Sequence, residues 1–261
     1  MQGQADLDEA GTGSWYGLDR DGKLVRMRQG WEVGMEENGM RGTGMGKDTA
    51  CRETGYYLKI LKEDIHSAVF ATVDSQGLPS ARVIDIMLAD EESLYFITAR
   101  GKAFYRQLME RKFVAVSGMT GGSSSMERKA VSVRGRVENI GKARLEEVFR
   151  ENPYMAEIYP GEESRMALEV FRLGGGQGEY FDLSTKPVTR AGFVLGKQGQ
   201  EHVPGEYYIT RQCRGCGLCI PKCPQDCIDR AGLPYAIRQE NCLHCGNCLE
   251  VCPFGAVGRR T

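Results

Sequence analysis

The chain has 261 residues, 41% of them hydrophobic, and a formal net charge of −1. That is enough apolar material for one large or two small cores, and so balanced a charge gives no reason to expect a nucleic-acid or anionic-membrane partner. No apolar run approaches the roughly 18 residues of a bilayer span, and the N-terminus lacks the basic-then-apolar order of a signal peptide. The expectation is a cytoplasmic protein with no membrane segment.

Residues 1–54 read as a poorly ordered leader. They carry 11 of the 34 glycines and both tryptophans, Trp15 and Trp31, with no sustained period of 2 or 3.6. Arg41 to Asp48 resembles a phosphate loop only in outline, because that motif needs Gly where Arg41 stands and Ser or Thr where Asp48 stands. Cys51 reads as an incidental thiol, and Met35, Met40 and Met45 offer alternative start positions.

From Gly55 the pattern becomes regular. Leu58, Leu61 and Ile65 share one face and predict a helix over Gly55–Ile65. Strands are predicted at Ala68–Asp74, Arg82–Leu88, Leu94–Thr98, Phe113–Ser117 and Ala130–Glu138, from their β-branched and aromatic content. Turn residues Gly77 and Pro79 separate the first two strands. Helices are predicted at Lys102–Arg111 and Gly141–Glu151, the second broken by Asn152-Pro153, with a short helix resuming at Tyr154–Tyr159. Leu168–Leu173 and Glu179–Leu183 read as closing strands about the turn Gly174–Gly176. Many short strands with few helices argue for a small antiparallel barrel, mainly β.

The order Ala71-Thr-Val-Asp-x-x-Gly-x-Pro79, Arg82, Leu94-Tyr-Phe-x-Thr98, Lys102 and Gln107-Leu108 resembles the pyridoxamine 5′-phosphate oxidase-like split-barrel flavoproteins. Val131–Glu138 looks like that family's glycine-containing strand, and Asn152-Pro153 with Glu169–Leu173 resembles its small clostridial-type members. The resemblance implies FMN bound at the interface of a homodimer, with a barrel domain over residues 55–190. It implies that Arg82 and Lys102 contact the FMN phosphate, that Thr98 hydrogen-bonds it, and that Val83, Ile84 and Asp85 lie along the isoalloxazine ring. The chemistry suits a phosphate dianion, which takes fixed cations and hydroxyl donors. Without the family, Arg82 and Lys102 would read as ordinary surface charges. Two departures argue against pyridoxamine phosphate oxidation itself: Met87 stands where the oxidases have Lys, and their Arg–His substrate motif is missing.

Residues 191–206, with Gly192, Gly196, Gly199 and Pro204, read as a linker. Beyond it lie nine of the ten cysteines. Eight form two copies of one pattern: Cys213-x2-Cys216-x2-Cys219-x3-Cys223-Pro224 and Cys242-x2-Cys245-x2-Cys248-x3-Cys252-Pro253. A disulfide framework belongs to small secreted domains, and zinc sites use CxxC pairs separated by a longer spacer. The doubled run is the spacing of [4Fe–4S] ligation. Residues 207–261 resemble a bacterial-type two-cluster ferredoxin, a small α+β domain. By that family's crossed pattern, Cys213, Cys216, Cys219 and Cys252 hold one cluster, and Cys242, Cys245, Cys248 and Cys223 the other. Tyr207–Ile209 is predicted to pair with Leu233–Ile237. Cys227 reads as a packing thiol, His244 as a partly exposed loop residue, and His66 and His202 receive no role.

The expected function is a flavin-dependent iron–sulfur oxidoreductase of an anaerobe. The clusters move single electrons, and the flavin collects two and delivers them to a small organic substrate. No acid–base constellation is read in the barrel, so no catalytic side chain is predicted. A redox donor or acceptor protein is the expected partner. The competing readings are an electron-transfer module serving another protein and a flavin-binding sensor without turnover.

Overall fold

The computed structural model describes residues 53–196 and 207–260, together with the backbone of 16–18 and 24–26. Those two short stretches form an antiparallel pair, β1 (Tyr16–Leu18) and β2 (Leu24–Arg26), where the sequence predicts no element. Strands of three residues are too short to show a period. The phosphate-loop-like segment, Cys51 and the three alternative methionines lie outside the described residues.

The first domain begins with α1 (Thr54–Lys59), which continues as a wider π-helical stretch, Ile60–Ile65. An antiparallel sheet follows, in the order β4 (Pro79–Asp85), β3 (Ser67–Val73), β7 (Phe113–Met119), β8 (Lys129–Gly141), β9 (Leu168–Asp182), β6 (Leu94–Ala99), β5 (Leu88–Ala89). An eighth strand, β10 (Thr189–Leu195), also pairs with β9. The sheet curls around Phe70, Phe96 and Phe171, each fully buried. Phe96 touches Phe70 at 4.8 Å and Phe171 at 5.7 Å between ring centres. Helix α2 (Ala103–Arg111) closes this core with Phe104 and Leu108.

Strand β6 is buried on both faces, which is why its sequence runs apolar without alternation. Its second face packs with Val148 of α3 (Leu145–Glu151) and Met155 of α4 (Met155–Ile158). A one-turn helix, α5 (Glu162–Arg165), leads back into the sheet.

Two segments differ from the sequence expectation. The predicted turn at Gly174–Gly176 is a bulge inside one long strand, β9. Val137 pairs with Leu173 and Arg136 with Gly175, so Gly174 is the extra residue. The glycines serve close approach: a methyl group on Gly135 would lie 2.1 Å from the Gly175 carbonyl oxygen. The start of the predicted linker is strand β10, in register with Asp182–Gly176. Gly178 of β9 leaves room for Phe193, whose ring covers it and stacks on Tyr57 at 4.4 Å.

The C-terminal domain is built on two small strand pairs. β11 (Tyr207–Ile209) pairs with β14 (Val257–Arg259), and β12 (Ile228–Asp229) with β13 (Ala236–Ile237). The predicted pairing of Tyr207–Ile209 with Leu233–Ile237 is therefore wrong. Each half of the repeat lends its closing strand to the opening strand of the other, and Pro234 has no N–H to offer a ladder. One turn of helix, α6 (Asn247–Glu250), carries Cys248. The barrel and this domain fall within one compact unit.

Candidate functional site

Two cavities lie in the C-terminal domain. Cys213, Cys216, Cys219 and Cys252 wall the first, with Tyr235, Leu218 and Phe254. Cys223, Cys242, Cys245 and Cys248 wall the second, with Cys227 and Tyr207. Three thiols of each set come from one cysteine run and the fourth from the other run.

The loops reach this arrangement through left-handed backbone. Gly217 and Gly246, each directly after the second cysteine of its run, have φ of 76° and 83°. The residue before that cysteine is also left-handed: Gly215 in the first run, at φ 69°, and His244 in the second, at φ 54°. A side chain in that conformation costs on the order of 1 kcal/mol. The fourth cysteines share a further device. The backbone N–H of Ala256 donates to Cys252 Sγ at 3.3 Å, and that of Cys227 to Cys223 Sγ at 3.4 Å.

At Cys227 the two halves diverge. Its thiol is buried and lies 3.3 Å from Cys223 Sγ, where the first half has only the Ala256 methyl. Hydrogen bonding with Cys242, then burial, push this thiol far above its ordinary range.

In the barrel, the structure brings Arg82 to α2. Its guanidinium lies 4.5 Å from the Phe104 ring centre. It donates to Thr72 Oγ1 at 2.6 Å, Ser80 Oγ at 2.6 Å, Gln107 Oε1 at 2.9 Å and the Phe70 carbonyl at 3.4 Å. Burial lowers its pKa. Thr72 also donates to Gln107 Oε1 at 2.6 Å. Sequence reasoning missed this network, although Gln107 is a polar residue on the buried face of α2, beside Phe104 and Leu108.

Lys102 is exposed at the start of α2, two residues before Phe104. Thr98 is 3% exposed, and its Oγ1 is buried with no hydrogen-bond partner. A buried hydroxyl left unpaired costs about 1–3 kcal/mol, so an acceptor supplied by a bound phosphate fits this position. Arg82 fits less directly, because the donors at both ends of its guanidinium already have acceptors. Val83 is 65% exposed on β4, opposite the exposed Val69 of β3.

Asp85, at the end of β4, belongs to a cluster that the sequence does not reveal. It accepts from Ser67 Oγ at 2.5 Å and Tyr154 Oη at 2.7 Å, and His66 Nε2 lies 3.1 Å from Tyr154 Oη. Partial burial pushes the Asp85 carboxyl up, but the Ser67 and Tyr154 hydrogen bonds and the nearby His66 and Lys62 outweigh it and hold the pKa below its ordinary value. Burial, then Asp85, push Tyr154 upward. His66 joins through a left-handed turn at φ 59°, which no sequence period could indicate.

The barrel meets the C-terminal domain along β10. Val188 N–H donates to Gln225 Oε1 at 2.7 Å, and Asn241 Nδ2 donates to the Val188 carbonyl at 3.1 Å. Arg190 Nη1 lies 2.7 Å from Nδ1 and 2.5 Å from Nε2 of His244, while its Nη2 donates to Glu179 Oε1 at 2.5 Å. Burial, then the neighbouring Arg190 charge, lower the His244 pKa. His244 is thus the key of a domain junction as well as a loop residue.

Among the described residues no helix is long and apolar enough to cross a membrane. No curated protein matches the chain. Among solved structures, it is similar to a NimC/NimA family protein from Clostridium acetobutylicum at 19% identity, covering 55% of this chain and 94% of that one, with a TM-score of 0.45. It is also similar to a heme binding protein from Mycobacterium smegmatis at 11% identity, covering 56% of this chain and 60% of that one, with a TM-score of 0.45. A pyridoxamine 5′-phosphate oxidase-related, FMN binding protein from Nostoc punctiforme is 13% identical, covers 55% of this chain and 91% of that one, and has a TM-score of 0.36. Residues 58–174 match the family described as pyridoxamine 5′-phosphate oxidase, and residues 212–256 match the 4Fe-4S dicluster domain. The chain therefore joins a pyridoxamine 5′-phosphate oxidase-like barrel domain to an iron–sulfur domain of the 4Fe-4S dicluster family.

Proposed function

We propose that this chain is an FMN-dependent iron–sulfur oxidoreductase that passes electrons between two [4Fe–4S] clusters and a flavin. The observation that carries the reading is the presence of two cavities, walled by four thiols and by five, in a domain seated against the barrel. When bound, the clusters supply single-electron transfer and the flavin two-electron chemistry. Cys213, Cys216, Cys219 and Cys252 ligate one cluster, and Cys223, Cys242, Cys245 and Cys248 the other. The backbone N–H groups of Ala256 and Cys227 stabilise charge on the fourth ligands, Cys252 and Cys223.

In the barrel, Thr98 and Lys102 bind the FMN phosphate, and Arg82 lends its charge from within the Thr72–Ser80–Gln107 network. Val83, Ile84 and Asp85 line the ring. The exposed Val69–Val83 pair supplies apolar surface for a homodimer. The substrate is a small organic molecule, the external donor a redox protein, and the setting a reducing compartment such as the cytoplasm of an anaerobe. Pyridoxamine phosphate oxidation is not part of this reading, given Met87 and the missing Arg–His motif.

The test is anaerobic purification with flavin, iron and sulfide analysis. The expected result is one FMN and about eight irons per chain. Protein that takes up no flavin when incubated with FMN would sink the barrel reading, and a lack of acid-labile sulfide would sink the cluster reading.

A further inference from the structure

The two cavities hold equivalent cysteine sets but differ in what surrounds them. The residues that reach the barrel, Gln225, Asn241 and His244, flank the second cavity. Gln225 lines it directly, Asn241 precedes its ligand Cys242, and His244 precedes its ligand Cys245. The first cavity is bordered instead by Leu218 and Phe254, 53% and 46% exposed. A second observation points the same way. His244 holds a left-handed conformation that its counterpart Gly215 adopts freely, and its ring meets Arg190, a side chain only 11% exposed and itself clamped by Glu179.

We infer that the second cavity holds the inner cluster, the relay between the barrel and the first cavity, and that Arg190 is the positioning residue that seats it. This inference rests on the reading of both cavities as cluster sites. In the relay step one electron leaves one cluster as the other gains it, with no bond made or broken. A low-potential one-electron donor outside the chain supplies it.

The Glu179–Arg190–His244 trio also places one cation and one anion of the barrel near the second cavity's ligand loop. A nearby cation favours the more negative, reduced cluster and raises its potential, and a nearby anion lowers it. The test is an EPR-monitored redox titration of the full-length, cluster-loaded protein, with dithionite as reductant. Arg190→Gln is expected to lower the midpoint of one cluster, and Glu179→Gln to raise the midpoint of that same cluster. Arg214→Gln, at the first cavity, is expected to shift the other cluster instead. Cys245→Ser, which alters the second cavity's spectrum, identifies which signal belongs to it. Shifts of opposite sign confined to the second-cavity signal support the inference.

No shift with either barrel variant, or shifts on the first-cavity signal, would overturn it. Should Arg190→Gln fail to accumulate, Glu179→Gln alone decides by the same criterion. A wild-type protein that loads with about four irons rather than about eight would overturn the two-cluster reading beneath it, independently of any variant.

Discussion

The two halves of the C-terminal domain share one ligand scaffold and differ in their neighbours. Each cavity draws three thiols from one run and a fourth from the other, and each fourth sulfur accepts a backbone N–H four residues later. Around the first cavity the corresponding positions are Gly215 and Ala256, and nothing from β10 approaches through the hydrogen bonds described above. Around the second they are His244 and Cys227, and β10 lies against it. The repeat fixes what can be bound. The departures from the repeat determine where each site stands in the molecule.

The comparison breaks most sharply at the crossed ligands. Cys252→Ala is expected to cost the cluster whose other three ligands are Cys213, Cys216 and Cys219, reducing iron from about eight to about four per chain. Loss of the second-cavity signal instead, identified through Cys245→Ser, would reverse the crossing. Cys227→Ala, by contrast, is expected to leave both clusters in place, because eight thiols remain to fill two sites. Iron analysis of the two variants side by side makes the test.

The barrel is held by its aromatic core. Phe96→Ala removes a ring packed on Phe70, Phe104 and Phe171 and is expected to destabilise the protein by about 3–5 kcal/mol in denaturant titration. Thr98→Val separates fold from ligand. It removes an unpaired buried hydroxyl, so the flavin-free protein is expected to gain about 1 kcal/mol or stay unchanged. FMN affinity is expected to fall roughly tenfold, the value of one hydrogen bond to a charged phosphate. Titration calorimetry with FMN reads the second effect. Weaker folding with unchanged affinity would remove Thr98 from the site.

The smallest effect is in acid. Glu169 accepts from Asn139, Tyr105 and Arg100, and these bonds outweigh burial and hold its pKa below the ordinary value. A carboxylate with a depressed folded-state pKa contributes stability that is present above about pH 4 and is lost as pH falls through the folded value. Glu169→Gln is expected to flatten that acid limb in denaturation midpoints measured from pH 6 to pH 3.

Much of this was legible in the sequence, for physical reasons. The cysteine spacing is a local constraint, so eight residues announce two sites without tertiary information. The strands of the barrel show through their β-branched and aromatic content. What stayed hidden depends on distance along the chain. Gly174 looks like a turn and is a bulge, because its partner lies some 37 residues away at Arg136–Val137. Gly192 looks like a linker and is a strand, because Glu179 of β9 pairs with it. His66, Asp85 and Tyr154 meet across 88 positions, and Arg190 and His244 across 54. No periodicity or local motif encodes such meetings.

The proposed function requires that electrons pass between the clusters and a flavin within this one chain. It is tested most directly by anaerobic stopped-flow reduction of the FMN-loaded protein, following flavin and cluster absorbance together, in the wild type and in Cys223→Ala. Flavin reduction is expected to accompany cluster reduction in the wild type and to be slowed in the variant, which lacks the Cys223 thiol of the second cavity. A flavin that stays oxidised beside reduced clusters, or one reduced equally fast in both proteins, would contradict it.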